Sequence, residues 1–228
     1  MHVKKIKAGG SAIVAFQRAD PVRFEDLRVV FAEGGFGKTK TGVAVSEKGK
    51  ESIVYGAYGA GKEGLEWTYL PEAPHIALMG DNPELVMEEF MKTRPMIEGL
   101  FEPHEKWSRY FDFYETNMIH ELELETKSPL ELMADLTPEK MYEPFEEVAG
   151  GGKPVMFLYR FAKFGKEIKP SIRKSVPWYD LSFWPTIENS DRLTAQLVCR
   201  THNADDLRKT TLMLQKRLYE FLDKRDRR

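Results

Sequence analysis

The stretch Met118-Ile119-His120-Glu121-Leu122-Glu123-Leu124-Glu125-Thr126-Lys127-Ser128-Pro129-Leu130-Glu131 decides how this chain is built. Leu122 and Leu124 fall on one side of an extended backbone, and Glu121, Glu123 and Glu125 on the other. That is the period-two alternation of a half-buried strand. Ser128 can then accept from the Glu131 amide while the Glu131 carboxylate reaches back to the Ser128 N–H. Pro129 occupies the first helical position, where its missing N–H costs nothing. A strand over Met118–Thr126 that runs straight into a helix is the expectation.

Working outward, the same order recurs. Arg109–Tyr114 reads as a further strand upstream. Nearer the N-terminus, Ser11–Phe16 reads as a strand followed by a helix start at Asp20-Pro21. Phe24, Leu27, Val30 and Phe31 keep helical spacing until Gly34-Gly35. Short extended runs follow at Thr41–Ser46, Ser52–Tyr58, Leu65–Leu70 and His75–Met79. Asp81-Asn82-Pro83 starts a second helix with Leu85, Val86, Phe90 and Met91, which Pro95 is expected to kink or end. Downstream of Glu131, Thr137-Pro138 suggests a new helix and Gly150-Gly151-Gly152 a break. Strands are expected at Val155–Phe164, Tyr179–Ile187 and Leu193–Thr201, then a long helix from an Asn203 cap to about Arg225. The class is α+β: two similar antiparallel sheet-plus-helix units, 1–103 and 104–228, packed as one body and suggesting internal duplication. This element order resembles the duplicated antiparallel saddle of the TATA-binding protein superfamily. The likeness is one of topology and by itself implies no activity.

Composition narrows the setting. The chain has 228 residues, 42% hydrophobic and 31% charged, with a net charge of −2. That balance gives no global attraction to nucleic acid or anionic membrane. Cys199 is the single cysteine, and no stretch has the length of a secretory signal or a membrane span, so a cytoplasmic protein is expected. With 3 Gln and 4 Asn against 25 Glu, the chain is poor in thermolabile amides, which fits a thermophilic source. The five histidines and Cys199 show no His-x-x-x-His or Cys-x-x-Cys spacing. No metal and no cofactor are therefore expected.

Two glycine-rich stretches have the look of phosphate loops. Gly56-Ala57-Tyr58-Gly59-Ala60-Gly61-Lys62 has the Gly-x4-Gly-Lys spacing of a Walker A loop, in which backbone amides cradle phosphate and Lys reaches its outer oxygens. Glu63 stands where the magnesium-binding Ser or Thr belongs, and a helix should follow. Glu33-Gly34-Gly35-Phe36-Gly37-Lys38-Thr39 resembles the deviant Walker A of the ParA/MinD family, with Glu33 replacing its signature lysine. Glycines that shape turns explain both stretches as well. Phosphate binding through Gly56, Gly59, Gly61 and Lys62 stays as an alternative. The spacing Glu123-x-Glu125-x-Lys127 is similar to that of triphosphate-tunnel metalloenzymes, but a solvated face, or pairing of these acids with Arg192 and Arg200, is favoured.

The aromatic second half carries the preferred site. Phe157, Tyr159 and Phe161 share one face of a strand. Trp178 and Trp184 share one face of the next, Tyr179 and Phe183 the other. Lys153, Arg160, Lys163, Lys166, Lys169, Arg173 and Lys174 lie among them. Such a set can line an apolar pocket or stack the bases of single-stranded nucleic acid. Along the last helix Leu207, Thr211, Leu214, Leu218 and Phe221 form a stripe that docks on a sheet or pairs with a second copy. No complete catalytic set is present. The reading is a non-enzymatic binding or interaction protein, a homodimer or partner of another protein, that uses Phe157, Tyr159, Arg160, Phe161, Lys163, Trp178 and Trp184. Nucleotide or phosphate binding and single-stranded nucleic-acid binding are the alternatives.

Overall fold

Local chemistry sets most element boundaries. In this computed structural model, residues 3–16, 24–33, 35–45, 51–60, 64–70, 75–100, 111–137, 155–162 and 178–227 are described. In chain order the elements are β1 (Val3–Phe16), α1 (Phe24–Glu33), β2 (Phe36–Val45), β3 (Glu51–Ala60), β4 (Glu66–Leu70), β5 (His75–Gly80), α2 (Pro83–Gly99), β6 (Phe111–Leu124), α3 (Pro129–Leu136), β7 (Phe157–Ala162), β8 (Trp178–Pro185), β9 (Arg192–Thr201) and α4 (Ala204–Asp226). The fold is α+β with antiparallel sheet and a long C-terminal helix. The helix starts at Asp20-Pro21 and Thr137-Pro138, the Gly150–Gly152 break and the 103–104 boundary all fall wholly or partly outside the described residues. Thr137 itself closes α3, its amide bonded to Met133 O at 3.1 Å.

The chain divides into two units, and the division runs through three strands and the last helix. One unit holds 9–116 and 200–208; the other holds 1–8, 117–199 and 209–228. In the first, the strand order is β2-β3-β4-β5-β1. β1 pairs antiparallel with β5, Val14 opposite Ile76. Leu27, Val30 and Phe31 of α1 and Val86, Phe90 and Ile97 of α2 are buried at helical spacing. Trp67 centres this core: it stacks on Phe31 at 5.1 Å and Phe90 at 6.1 Å and meets Phe36 edge-on at 6.2 Å. Gly80 ends β5 in a tight spot: a Cβ there would stand 2.6 Å from Leu65 Cδ2 and 3.1 Å from Val86 Cγ2, so those side chains would have to shift. Asn82 caps α2, its Oδ1 accepting from the Glu84 and Leu85 amides at 3.1 and 3.2 Å.

Two expectations change. Of the two outcomes expected at Pro95, a kink or an end, the end does not occur: α2 continues to Gly99. Phe90, Thr93 and Ile97 are buried on one face spanning the proline, and their packing offsets the lost backbone bond. Arg109–Tyr114 and Met118–Thr126 are not separate strands. Tyr114, Thr116, Met118, His120, Leu122 and Leu124 alternate inward along the single strand β6. The polar members Thr116 and His120, both fully buried, hid that continuity.

In the other unit the strand order runs β7-β8-β9-β6, with the first residues of β1 beyond β6. The core joins Met118, Leu122 and Leu124 of β6 to Leu193, Ala195, Leu197 and Cys199 of β9, with Leu218 and Leu222 of α4 also buried. α3 begins at the expected reciprocal cap, Glu131 N to Ser128 Oγ at 3.3 Å and Ser128 N to Glu131 Oε2 at 2.7 Å. None of the described helices is long and apolar enough to cross a membrane.

Candidate ligand-binding site

The register of one hairpin sorts the aromatic residues. Phe157 lies opposite Phe183, Tyr159 opposite Leu181 and Phe161 opposite Tyr179. Directly paired residues of antiparallel strands project to the same face. Phe157, Tyr159 and Phe161 therefore share a face with Tyr179, Leu181 and Phe183. Tyr159 is tilted against Phe157 at 4.3 Å and stacked on Phe161 at 6.2 Å. That face is turned to α4, since Phe183 stacks on Phe221 at 6.0 Å.

Arg160, Trp178 and Asp180 take the opposite face. Arg160 opposes Asp180 and donates to both its carboxylate oxygens, Nε at 2.7 Å and Nη2 at 2.6 Å. The guanidinium also lies 4.6 Å from the Trp178 ring centroid. Trp184 shares the parity of Trp178. The sheet thus separates the expected seven residues: Phe157, Tyr159 and Phe161 on the helix side, Arg160, Trp178 and Trp184 on the other. Lys163 lies outside the described residues, as do Lys153, Lys166, Lys169, Arg173 and Lys174.

On the helix side a cavity of about 300 Å³ opens between strands and helix. Tyr159, Phe161, Tyr179 and Leu181 form one wall, and Leu197 of β9 forms its floor. Leu214, Leu218 and Phe221, spaced by one turn each along α4, form the other wall with Arg217. Asp180 borders the cavity, but its carboxylate is held by Arg160. The lining is overwhelmingly apolar, and Phe161 keeps 54% of its surface exposed at the opening. Burial raises the pKa of the Tyr159 hydroxyl, with the charge of Arg225 opposing that shift. Leu214, Leu218 and Phe221 were legible beforehand as a stripe, and Tyr179 as an aromatic. Their convergence with Tyr159 and Phe161 depends on the β7–β8 register, for which local sequence carries no signal.

The other candidates sit differently. Gly56 and Gly59 lie within β3, paired antiparallel on both sides: Gly56 with Thr41 and Tyr69, Gly59 with Gly37 and Glu66. Gly61 and Lys62 are outside the described residues. The next element is strand β4, so the helix dipole that a Walker A loop presents to phosphate has no counterpart after this stretch. Gly35, with φ of 84°, follows α1 and bonds back to Ala32 O at 3.0 Å, a helix C-cap rather than the opening of a helix.

Two carboxylates of the acidic comb are paired, Glu121 with Arg192 at 2.6 Å and Glu123 with Lys4 at 3.3 Å, while Arg200 binds Glu115 outside the comb. Cys199 is a buried core thiol. In the first unit Tyr114 donates to Glu98, which also accepts from Arg94 at 2.8 Å. Burial holds the Tyr114 phenol far above its ordinary pKa, so it serves as a fixed donor. Among the described residues no three His, Cys, Asp or Glu side chains are placed to hold a metal ion. Compared with protein-family models and with curated proteins, the chain matches none.

Proposed function

We propose that this chain is a binding protein for a small apolar ligand, taken up between β7–β9 and α4. The observation that carries this reading is the cavity itself: about 300 Å³, at the lower end of the size of ligand pockets, with aromatic and leucine walls and an exposed Phe161 at its mouth. Tyr159, Phe161, Leu181 and Leu214 are the contact residues. The ligand's apolar surface replaces water against rings that the fold leaves partly uncovered.

The neutral dye N-phenyl-1-naphthylamine tests it. Its fluorescence should rise on binding with a saturable isotherm. Leu214→Trp, which fills the cavity, should abolish the signal in a protein of unchanged circular dichroism. Phe161→Ala should weaken binding about tenfold, since part of a Phe side chain's burial is worth roughly 1–2 kcal/mol. An isotherm indifferent to Leu214→Trp would exclude the site.

Two finer readings accompany this one. The halves are read as a repeated β-α-β(n)-α fold with the strand order of a TATA-binding-protein-like saddle. In support, the first strand of each half lies beside its last, β1 beside β5 and β6 beside β9, and a helix follows each of these four strands. A second copy of the chain as partner is read onto the outer face of α4, where Leu212 and Met213 are exposed while Leu207, Thr211 and Leu218 are buried. Sedimentation at micromolar concentration, with and without Met213→Glu, separates monomer from dimer.

A further inference from the structure

We infer that the ligand of this cavity is a hydrophobic carboxylate whose anionic end is held by Arg225. The inference rests on the cavity reading above and adds the polarity of the ligand to it. Arg225 follows Phe221 by one helical turn, so the two lie on the same face of α4. Its guanidinium carbon stands 5.6 Å from the centroid of the Phe221 ring, which is itself wall of the cavity. Its charge is also felt at the Tyr159 hydroxyl on the facing wall. A cation is thus set beside an aromatic ring that a bound apolar body would touch.

What distinguishes Arg225 is that the carboxylates around it are engaged elsewhere. Glu220 accepts from Arg217 at 2.8 Å, and Asp223 from Arg227 at 2.9 Å. Asp180, the acid bordering the cavity, is held by Arg160. Asp226 is turned to the backbone amides of 125–127. Among the described residues Arg225 has no carboxylate partner. A guanidinium lying over a ring has its edge N–H groups free, and these match the two oxygens of a carboxylate in bidentate fashion. A neutral ligand would fill the same walls and leave that cation to water. An apolar chain or ring ending in a carboxylate satisfies both at once, and the low polarity of the walls strengthens the charge contact.

The test displaces N-phenyl-1-naphthylamine from the full chain with decanoate and, separately, with 1-decanol, two probes alike in apolar length. Decanoate should bind about tenfold more tightly than decanol, the scale of one charge-assisted contact. Arg225→Gln should bring decanoate to the affinity of decanol and leave decanol unchanged. The preference should also shrink as salt is raised. Equal affinities, or a ratio that Arg225→Gln does not move, would overturn the inference while the cavity reading stands. Dye binding that neither probe displaces also overturns it. A dye that does not bind at all removes the cavity reading itself, a separable result.

Discussion

Asp226 shows how far apart in sequence the deciding contacts can be. It is fully buried, and its carboxylate accepts from the Glu125 amide at 3.0 Å, the Thr126 amide at 3.1 Å and the Lys127 amide at 2.9 Å. These three amides follow the last residue of β6 and precede the cap of α3. A side chain about 100 residues away closes the turn and ties down the end of α4. In sequence, Lys224-Arg225-Asp226-Arg227 reads only as a charged tail. Nothing local marks its acid as the one that is buried. Asp226→Ala should cost about 2–3 kcal/mol in urea denaturation, because three backbone donors lose the buried carboxylate that they share. A loss under about 0.5 kcal/mol would show that water replaces the carboxylate without penalty.

Elements governed by neighbouring residues were legible, and those governed by distant partners were not. The Ser128–Glu131 cap, the Asn82 cap and the glycine stop after α1 lie within a few residues of what they satisfy, so they follow from sequence. The continuity of β6 did not, because buried Thr116 and His120 break the apolar pattern; His120 finds Tyr219 of α4 at 3.2 Å. The candidate site was half legible for the same reason. Its aromatic strands and helical stripe are patterns, but Phe161 opposite Tyr179 is a register. The cap of α3 also gives a pH test. Hydrogen bonds from the Ser128 backbone and hydroxyl hold the Glu131 pKa below its ordinary value. A depressed carboxylate stabilises the folded state above its unfolded pKa, and that contribution fades as pH falls through the folded value. Wild type should therefore exceed Glu131→Ala in urea midpoint at pH 7, and the gap should close near pH 3. Ser128→Ala should cost about 1 kcal/mol at pH 7. A gap independent of pH would mean that the charged reach-back bond contributes nothing.

At the scale of the molecule, the distribution of charge speaks to the nucleic-acid alternative. A saddle that grips nucleic acid needs cations on its open sheet face free to neutralise phosphates. In the unit that holds the cavity, the sheet face turned away from α4 carries Arg160, Arg192 and Lys4, and each is matched: Arg160 with Asp180, Arg192 with Glu121, Lys4 with Glu123. In the other unit Arg200 binds Glu115 and lies 3.7 Å from the Phe113 ring centroid. In the cavity unit Gln196 donates to Asn117 at 2.8 Å, a neutral bond. Among the described residues, phosphates approaching such a face meet a carboxylate beside each of these cations, and a net charge of −2 supplies no long-range attraction. Displacing Asp180 from Arg160 would strip both bonds from a nearly buried acid, a penalty that a solvated phosphate contact does not recover. An oligothymidine should therefore show no saturable binding in about 50 mM salt, where electrostatic association is strong. Micromolar affinity there, falling steeply with added salt and lost in Trp184→Ala, would mean that the described ion pairs open for phosphate and that the aromatic residues opposite the cavity serve the bases after all.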